Sequence, residues 1–245
     1  MITLVIPVYN EMTRWDEQYF SKIAELADLQ LLFVNDGSTD KSSDLISKLV
    51  EIHSNVSLVN LEVNVGKAEA VRRGMSLGMS LPNTHIIGYL DSDGAFSFQD
   101  IQAVIESVTG SKSGERATWW WTSRRRSVNT RIERSFLRHL IGRSVSAILS
   151  WRDATLPYDT QSGFKLFVVD EVLEMVTSKP FITRWFVDLE IFYRYKILTL
   201  SEPHILEVQL CDWKEVPNSK LGIRQSFVVI NELFNIKKLQ KGKLI

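Results

Sequence analysis

Short apolar runs alternate with stretches of helical spacing through the first ninety positions of the chain. Ile2 to Pro7, Leu31 to Val34, Val56 to Leu61 and the run from His85 to Leu90 read as buried strands, each followed by polar turn residues. Between them, Arg14 to Leu29, a segment running to about Ile52 and a segment from Gly66-Lys67 to about Met79 place apolar residues at helical intervals. Thr39 or Asp40 is placed to cap the second of these helices. Pro7 has no N–H for a ladder, so the first strand is expected to stop there. Four alternations of strand and helix predict an α/β domain with a mainly parallel sheet and right-handed crossovers. Ligands of such sheets bind beyond the carboxyl ends of the strands. The loops Tyr9-Asn-Glu11, Asp36-Gly-Ser38, Gly66-Lys67 and Asp91-Ser-Asp93 all fall there.

The pattern loosens after Asp93. A helix is expected near Phe98 to Val108, then a polar linker over Thr109 to Gly114 and a strand over Ala117 to Trp121. In the following arginine-rich segment Ile132, Phe136, Leu140 and Leu137, Ile141, Val145, Ile148 recur at helical spacing, which predicts a helix over 130–149. A loop over Asp159 to Gly163 precedes a strand over Phe164 to Val169. Phe181 to Tyr195 reads as largely helical and Leu206 to Leu210 as a strand, with a loop over Trp213 to Lys220. A final amphipathic helix, Ile223 to Leu239, sets Phe227, Ile230 and Phe234 on one face, with Val229, Leu233 and Ile236 alongside. No internal repeat or low-complexity tract interrupts the chain. The expected organisation is one domain over 1–245, with a nucleotide-binding half (1–95), an acceptor half (96–222) and the C-terminal helix (223–245).

Asp91 and Asp93, with only Ser92 between them, end an apolar strand at Gly94, where the chain can turn and bring both carboxylates to one cation. Two hard oxygen ligands with open positions suit Mg²⁺ or Mn²⁺ shared with a diphosphate. Taken alone, Asp-Ser-Asp-Gly is equally good turn chemistry.

Composition narrows the class. The chain has 245 residues, 44% of them hydrophobic, and a formal net charge of +0, enough for one sizeable α/β core. The lone Cys211 cannot form an internal disulfide, which fits a reducing compartment. Neither a signal peptide nor an apolar run of about 18 residues is present, so a cytoplasmic chain is expected, peripheral to a membrane at most. Neutral overall charge argues against nucleic acid as the partner. Local charge is another matter: seven arginines lie between Arg124 and Arg143 against one acid, Glu133, and Lys237, Lys238, Lys241 and Lys243 crowd the end. Anionic partners are expected at these two stretches.

Eight segments in order, VIPVYNE at 5–11, VNDGSTD at 34–40, NVGKAEAVRRG at 64–74, LDSDGA at 90–95, SRR at 123–125, DTQSGFKLF at 159–167, RWFVDLEI at 184–191 and EVQLCDWKEVPNSKL at 207–221, resemble the inverting family 2 glycosyltransferases of GT-A (Rossmann-like) fold. Within them the chain is most similar to the dolichyl- and polyprenyl-phosphate glucose and mannose synthases. The resemblance implies a nucleoside-diphosphate sugar held by Pro7, Tyr9, Glu11, Asp36, Lys67, Asp91 and Ser92, with Mg²⁺ or Mn²⁺ on Asp91 and Asp93. Tyr9 would stack on a base, Asp36 would accept from a ring N–H and Lys67 would meet phosphate. The family often places a third metal ligand two residues after the second Asp; here that position is Ala95, as in the glucosyl branch.

The implied reaction is transfer of a sugar, glucose from UDP-glucose by branch resemblance, to a lipid phosphate. Arg124, Arg131 and Arg134 are candidates to seat that phosphate, since guanidinium forks match it, and Ser219 with Lys220 matches a family Ser-Lys pair. Asp159 and Asp188 are the family-matched carboxylates near the reaction centre. A lipid substrate implies a membrane surface, met by the 130–149 and C-terminal helices, with Trp119 to Trp121 as a conceivable aromatic anchor. Three rivals remain: a soluble glycosyltransferase acting on a hydroxyl acceptor, a sugar-nucleotide-forming nucleotidyltransferase, and a non-catalytic binding module. The chain lacks a Gly-rich, basic N-terminal loop for the second, and the intact Asp91 and Asp93 argue against the third.

Overall fold

The computed structural model describes residues 1–110, 118–125, 130–133, 155–214 and 223–240. Four βα units open the chain as the hydrophobic pattern requires: β1 (Ile2–Val8), α1 (Glu17–Ala24), β2 (Leu29–Asn35), α2 (Ser42–Ile52), β3 (Val56–Asn60), α3 (Lys67–Met79), β4 (Ile86–Leu90) and α4 (Phe98–Thr109). Then come β5 (Trp119–Ser123), β6 (Arg131–Glu133), β7 (Phe164–Val168), α5 (Glu171–Ser178), α6 (Val187–Thr199), β8 (Ile205–Gln209), β9 (Asp212–Lys214) and α7 (Ile223–Gln240).

Seven strands form one sheet in the order β3-β2-β1-β4-β7-β5-β8, and β6 pairs with β9 in a separate ribbon. Only β7 runs against its neighbours β4 and β5, so the sheet is mostly parallel. Both of its faces are apolar, as a helix-covered parallel sheet demands. One face packs Leu4, Ile6, Phe33 and Trp120 with Phe20 and Ile23 of α1, Ile46 and Leu49 of α2 and Ile101 and Val104 of α4. The other packs Val5, Val34, Trp119 and Trp121 with Val71 and Met75 of α3, Leu173 of α5 and Phe192 of α6, and takes in Ile236 and Leu239 of α7.

Several expectations change here. β1 runs past Pro7 to Val8. Asp36 N donates to Val8 O on the β2 side, so the preceding Pro7 nitrogen faces β4, where pairing has already ended at Val5 and Tyr89; no ladder bond is lost. Of the helix predicted over 130–149, Arg131–Glu133 is strand β6, held in parallel register by β9, and 134–149 lies outside the described residues. The helical stretch expected from Phe181 starts only at Val187. A helix that periodicity did not single out, α5, is capped by Asp170, whose side chain accepts from Leu173 N at 2.7 Å. All three tryptophans of β5 are buried, Trp119 and Trp121 stacked at 6.2 Å on the α6 side, which removes them as a surface anchor. In the second half of α7 Ile236 and Leu239 face the protein, whereas Phe234 is 57% exposed. No described helix is long and apolar enough to cross a membrane.

Candidate active site

The carboxyl ends of β1, β2 and β4 place the first half of the predicted site. Pro7 is buried at the end of β1 and Tyr9 is half-buried just beyond it. Asn10, at φ +51°, staples the first loop to the second: its Oδ1 accepts from Thr39 N at 2.8 Å and Asp40 N at 3.3 Å, and its own N–H donates to Ser38 Oγ at 2.9 Å. Glu11 is buried; its N–H donates to Ser42 Oγ, and its carboxylate pairs with Arg14 at 2.5 Å.

Asp36 turns inward rather than toward open space. Its Oδ1 accepts from Val65 N at 2.7 Å, and its Oδ2 accepts from Gly66 N and Asn64 Nδ2, both at 2.9 Å. Desolvation raises its pKa while these N–H groups and Arg184 work against the rise. Asp36 therefore fixes the 64–66 loop, and with it the start of α3. At that start Lys67 sets its Nζ 2.5 Å from Asp91 Oδ1.

Asp91 is pinned by its own N–H to Gly163 O at 2.9 Å, and the two chains approach closely there. A Cβ on Gly163 would lie 2.1 Å from Asp91 Oδ2, so only glycine leaves the carboxylate room. Gly94, at φ +71°, makes the turn that the sequence assigned to it. Asp93 accepts from Ala95 N at 3.1 Å, and its pKa is raised by desolvation and by the charge of Asp91. The same carboxylates, with Asp16, add to burial in raising the Tyr19 hydroxyl, which donates to Phe96 O. A buried carboxylate whose ionisation is opposed by a neighbouring carboxylate is a donor that a hard divalent cation relieves. The pair therefore fits Mg²⁺ or Mn²⁺. Among the described residues no group of three or more His, Cys, Asp or Glu side chains forms a metal-holding cluster.

The second half of the site is built differently. Asp159, buried, accepts from Arg124 N at 3.0 Å, Nε at 2.7 Å and Nη2 at 2.8 Å. The Arg124 guanidinium also lies 5.0 Å over Trp213; burial works against its charge, and Asp159 more than offsets that. Asp188, in the first turn of α6, accepts from Lys165 Nζ at 2.8 Å and from Leu189 N at 2.9 Å. Lys165 is fully buried on β7, donates also to Ser162 O at 2.5 Å, and sits 4.7 Å over the Trp121 ring. Burial lowers its pKa, with Asp188 pulling the other way.

Of the acceptor residues predicted, Arg124 is thus largely engaged by Asp159, Arg131 is exposed on β6, and Arg134, Ser219 and Lys220 lie outside the described residues. Sequence reasoning missed Lys165, Gly163 and Arg184 as site-builders. Lys165 had a signal: a lysine inside the apolar strand FKLFV needs a buried partner.

The fold is similar to that of glucosyl-3-phosphoglycerate synthase from Mycobacterium tuberculosis, crystallised with Mn²⁺ and UDP-glucose, at a TM-score of 0.66 and 19% identity, over 96% of this chain and 78% of that one. It is also similar to the mannosyltransferase PcManGT from Pyrobaculum calidifontis, crystallised with GDP-mannose and Mn²⁺, at 0.63 and 14%, over 96% and 62%. These neighbours bear out the GT-A fold. In sequence the chain is similar to the dolichyl-phosphate beta-glucosyltransferase ALG5A of Trichomonas vaginalis, 26% identical over 249 residues, or 96% of this chain and 72% of that one. The dolichyl-phosphate beta-glucosyltransferase of Dictyostelium discoideum is 28% identical over 233 residues, 90% and 68% of the two chains. Residues 3–156, more than half of the chain, match Glycosyl transferase family 2, and with the sheet order and the paired aspartates already described the chain belongs to that family.

Proposed function

We propose that the chain transfers glucose from UDP-glucose to the phosphate of a polyprenyl or dolichyl lipid, with inversion at the anomeric carbon. The observation that carries this reading is the contrast in charge across the strand ends. Among the described residues, Lys67, Asp91 and Asp93 carry an excess of acid, while Asp159 and Asp188 are each paired with a cation of their own. A divalent cation held by Asp91 and Asp93 would supply positive charge to the leaving diphosphate. Lys67 adds its ammonium beside it, Pro7 and Tyr9 present apolar surface to the base, Glu11 and Ser92 contribute polar contacts around the nucleoside, and Asp36 acts through the 64–66 loop it fixes.

On the acceptor side, Asp159 and Asp188 spend lone pairs on Arg124 and Lys165, which suits orientation better than proton abstraction. A phosphate monoester, with its second pKa near 6, is already largely ionised at neutral pH, so its oxygen attacks without a strong base. Arg124, Arg131 and Arg134, with Ser219 and Lys220, supply positive charge for it. The two sequence relatives named above are dolichyl-phosphate glucosyltransferases, which supports both the sugar and the lipid. Phe234 and Lys238, both exposed and four residues apart on α7, offer the apolar and basic contacts of a surface helix. A hydroxyl acceptor is the second reading: the similar synthase crystallised with phosphoglyceric acid met a ligand bearing a hydroxyl as well as a phosphate, and Asp159 or Asp188 would then serve as base.

The test is a donor screen with purified protein, Mn²⁺ or Mg²⁺, a short polyprenyl phosphate and each common UDP- and GDP-sugar, reading release of the nucleoside diphosphate. Metal-dependent release with UDP-glucose, stimulated by the lipid phosphate and lost in Asp93→Ala, is the expected result. Release indifferent to the lipid moves the assignment to a hydroxyl acceptor, and no release with any donor overturns it.

A further inference from the structure

The C-terminal helix reaches the loop beside the donor site through one buried side chain. Glu232 of α7 is 5% exposed, and its carboxylate accepts from Arg184 N at 2.6 Å and Trp185 N at 3.1 Å. Desolvation raises its pKa and these two N–H groups resist the rise, as expected of a carboxylate used to cap free backbone donors. The preceding residues are fixed separately. Glu190, fully buried, takes Ile182 N and Thr183 N, both at 2.8 Å, and Arg194 Nη2 at 2.7 Å.

Arg184 carries the contact onward in three ways. Its carbonyl accepts from Ala68 N at 3.0 Å, in the first turn of α3. Its stem lies against Gly66, where an added Cβ would sit 2.6 Å from Arg184 Cγ. Its guanidinium donates to Asn64 Oδ1. Asn64 in turn donates to Asp36 Oδ2, and Asp36 closes the circuit on the Val65 and Gly66 amides. Gly66, at φ +96°, holds a conformation that L side chains rarely adopt, and the next residue is Lys67. Every polar group of the 64–66 loop that meets Asp36 is therefore connected to Glu232 through Arg184.

We propose that Glu232 and Arg184 are positioning residues for the donor: α7 sets the 64–67 loop through them and thereby tunes affinity for a nucleoside diphosphate. The ligand class rests on the function proposed above, whereas the coupling of helix to loop does not. A carboxylate that merely stabilised the 184–185 turn would leave diphosphate affinity untouched.

The experiment pairs two readouts on wild type, Glu232→Gln, Glu232→Ala and Asn64→Ala. Amide hydrogen exchange at Val65 and Gly66 reports the loop without any ligand, and calorimetric titration with UDP and GDP in the presence of Mn²⁺ reports affinity. Glu232→Ala is expected to speed exchange at both amides and to weaken diphosphate binding about tenfold, the scale of one charge-assisted hydrogen bond. The donor KM should rise with it, while kcat at saturating donor stays within about twofold, because the relay touches no reacting atom. Glu232→Gln should fall between. Asn64→Ala, which cuts the relay without touching α7, should weaken binding similarly and add little to Glu232→Ala in the double variant. Faster exchange confined to 180–186 with unchanged affinity overturns the proposal and makes Glu232 a local clamp. Should wild type bind neither diphosphate, the donor reading falls, and unchanged exchange at Val65 and Gly66 in Glu232→Ala and Asn64→Ala would overturn the relay separately.

Discussion

The two sides of the site handle the same chemical problem, carboxylates gathered at a sheet edge, in opposite ways. At the ends of β1, β2 and β4, the charge of Asp91 disfavours ionisation of Asp93, and among the described residues Asp91 pairs with Lys67. Beside β5 and β7, Asp159 has Arg124 in a two-pronged contact and Asp188 has the buried Lys165. The first arrangement is one that a cation would relieve under the proposed function; the second is paired within the chain. A parallel sheet serves this division well, because all its loops of interest end on one rim while antiparallel β7 brings Gly163 back against Asp91.

The contrast can be broken hardest at Asp91. Asp91→Ala is expected to lower sugar transfer by about a thousandfold with the fold intact by circular dichroism, since in the proposed reaction Asp91 supports the leaving group, and it adds little to the core. Lys165→Met should hurt stability instead: losing one partner of a buried pair costs about 3–5 kcal/mol, measured by urea denaturation, and Lys165→Met with Asp188→Asn should recover part of it. The sign with pH follows from the lowered pKa of Lys165. Below the ordinary lysine value the native state holds fewer protons than the unfolded chain, so this residue's contribution to stability rises with pH; the Lys165→Met curve should lose that slope.

Gly163→Ala sharpens the comparison, because it presses a methyl into the Asp91 carboxylate from the acceptor side. Transfer should drop about tenfold to a hundredfold, as for other displaced ligand supports, with a rise in the Mn²⁺ concentration needed for half activity. The smallest effect is expected from Asp93→Asn without metal. The raised pKa of Asp93 means that, above the ordinary aspartate value, the native state binds more protons than the unfolded one, so stability falls as pH climbs through the raised value. Asp93→Asn should flatten that fall and give a slightly higher unfolding midpoint at neutral pH, seen in thermal melts across pH 4–7.

Much of the rim at the ends of β1, β2 and β4 was legible because it is local. Buried strands, their polar ends and the Asp-Ser-Asp spacing all lie within short windows, and β1 to β4 came out close to their predicted bounds. What the sequence hid is long-range. Lys165 and Asp188 meet across 23 residues and Arg124 and Asp159 across 35, so their mutual neutralisation could not be read from either motif. The three-residue strand Arg131–Glu133 exists through its partner β9, whereas apolar spacing around Ile132 pointed to a helix. Residues 181–186 look helical by composition yet are held as a loop by Glu190 and Glu232, each supplying acceptors that compete with helical hydrogen bonding. The surface role imagined for the tryptophans failed because β5 lies inside the sheet, covered on both faces.

The most direct test of the contrast is a calorimetric titration of Mn²⁺, in the presence of UDP, into wild type and three variants: Asp93→Asn, Asp159→Asn and Asp188→Asn. The account predicts one binding event in wild type, lost in Asp93→Asn and kept within about threefold in the two acceptor-side variants wherever these remain folded. Binding that survives in Asp93→Asn, or that vanishes in folded Asp159→Asn or Asp188→Asn, would contradict the division of the site into an open acidic seat and a self-neutralised rim.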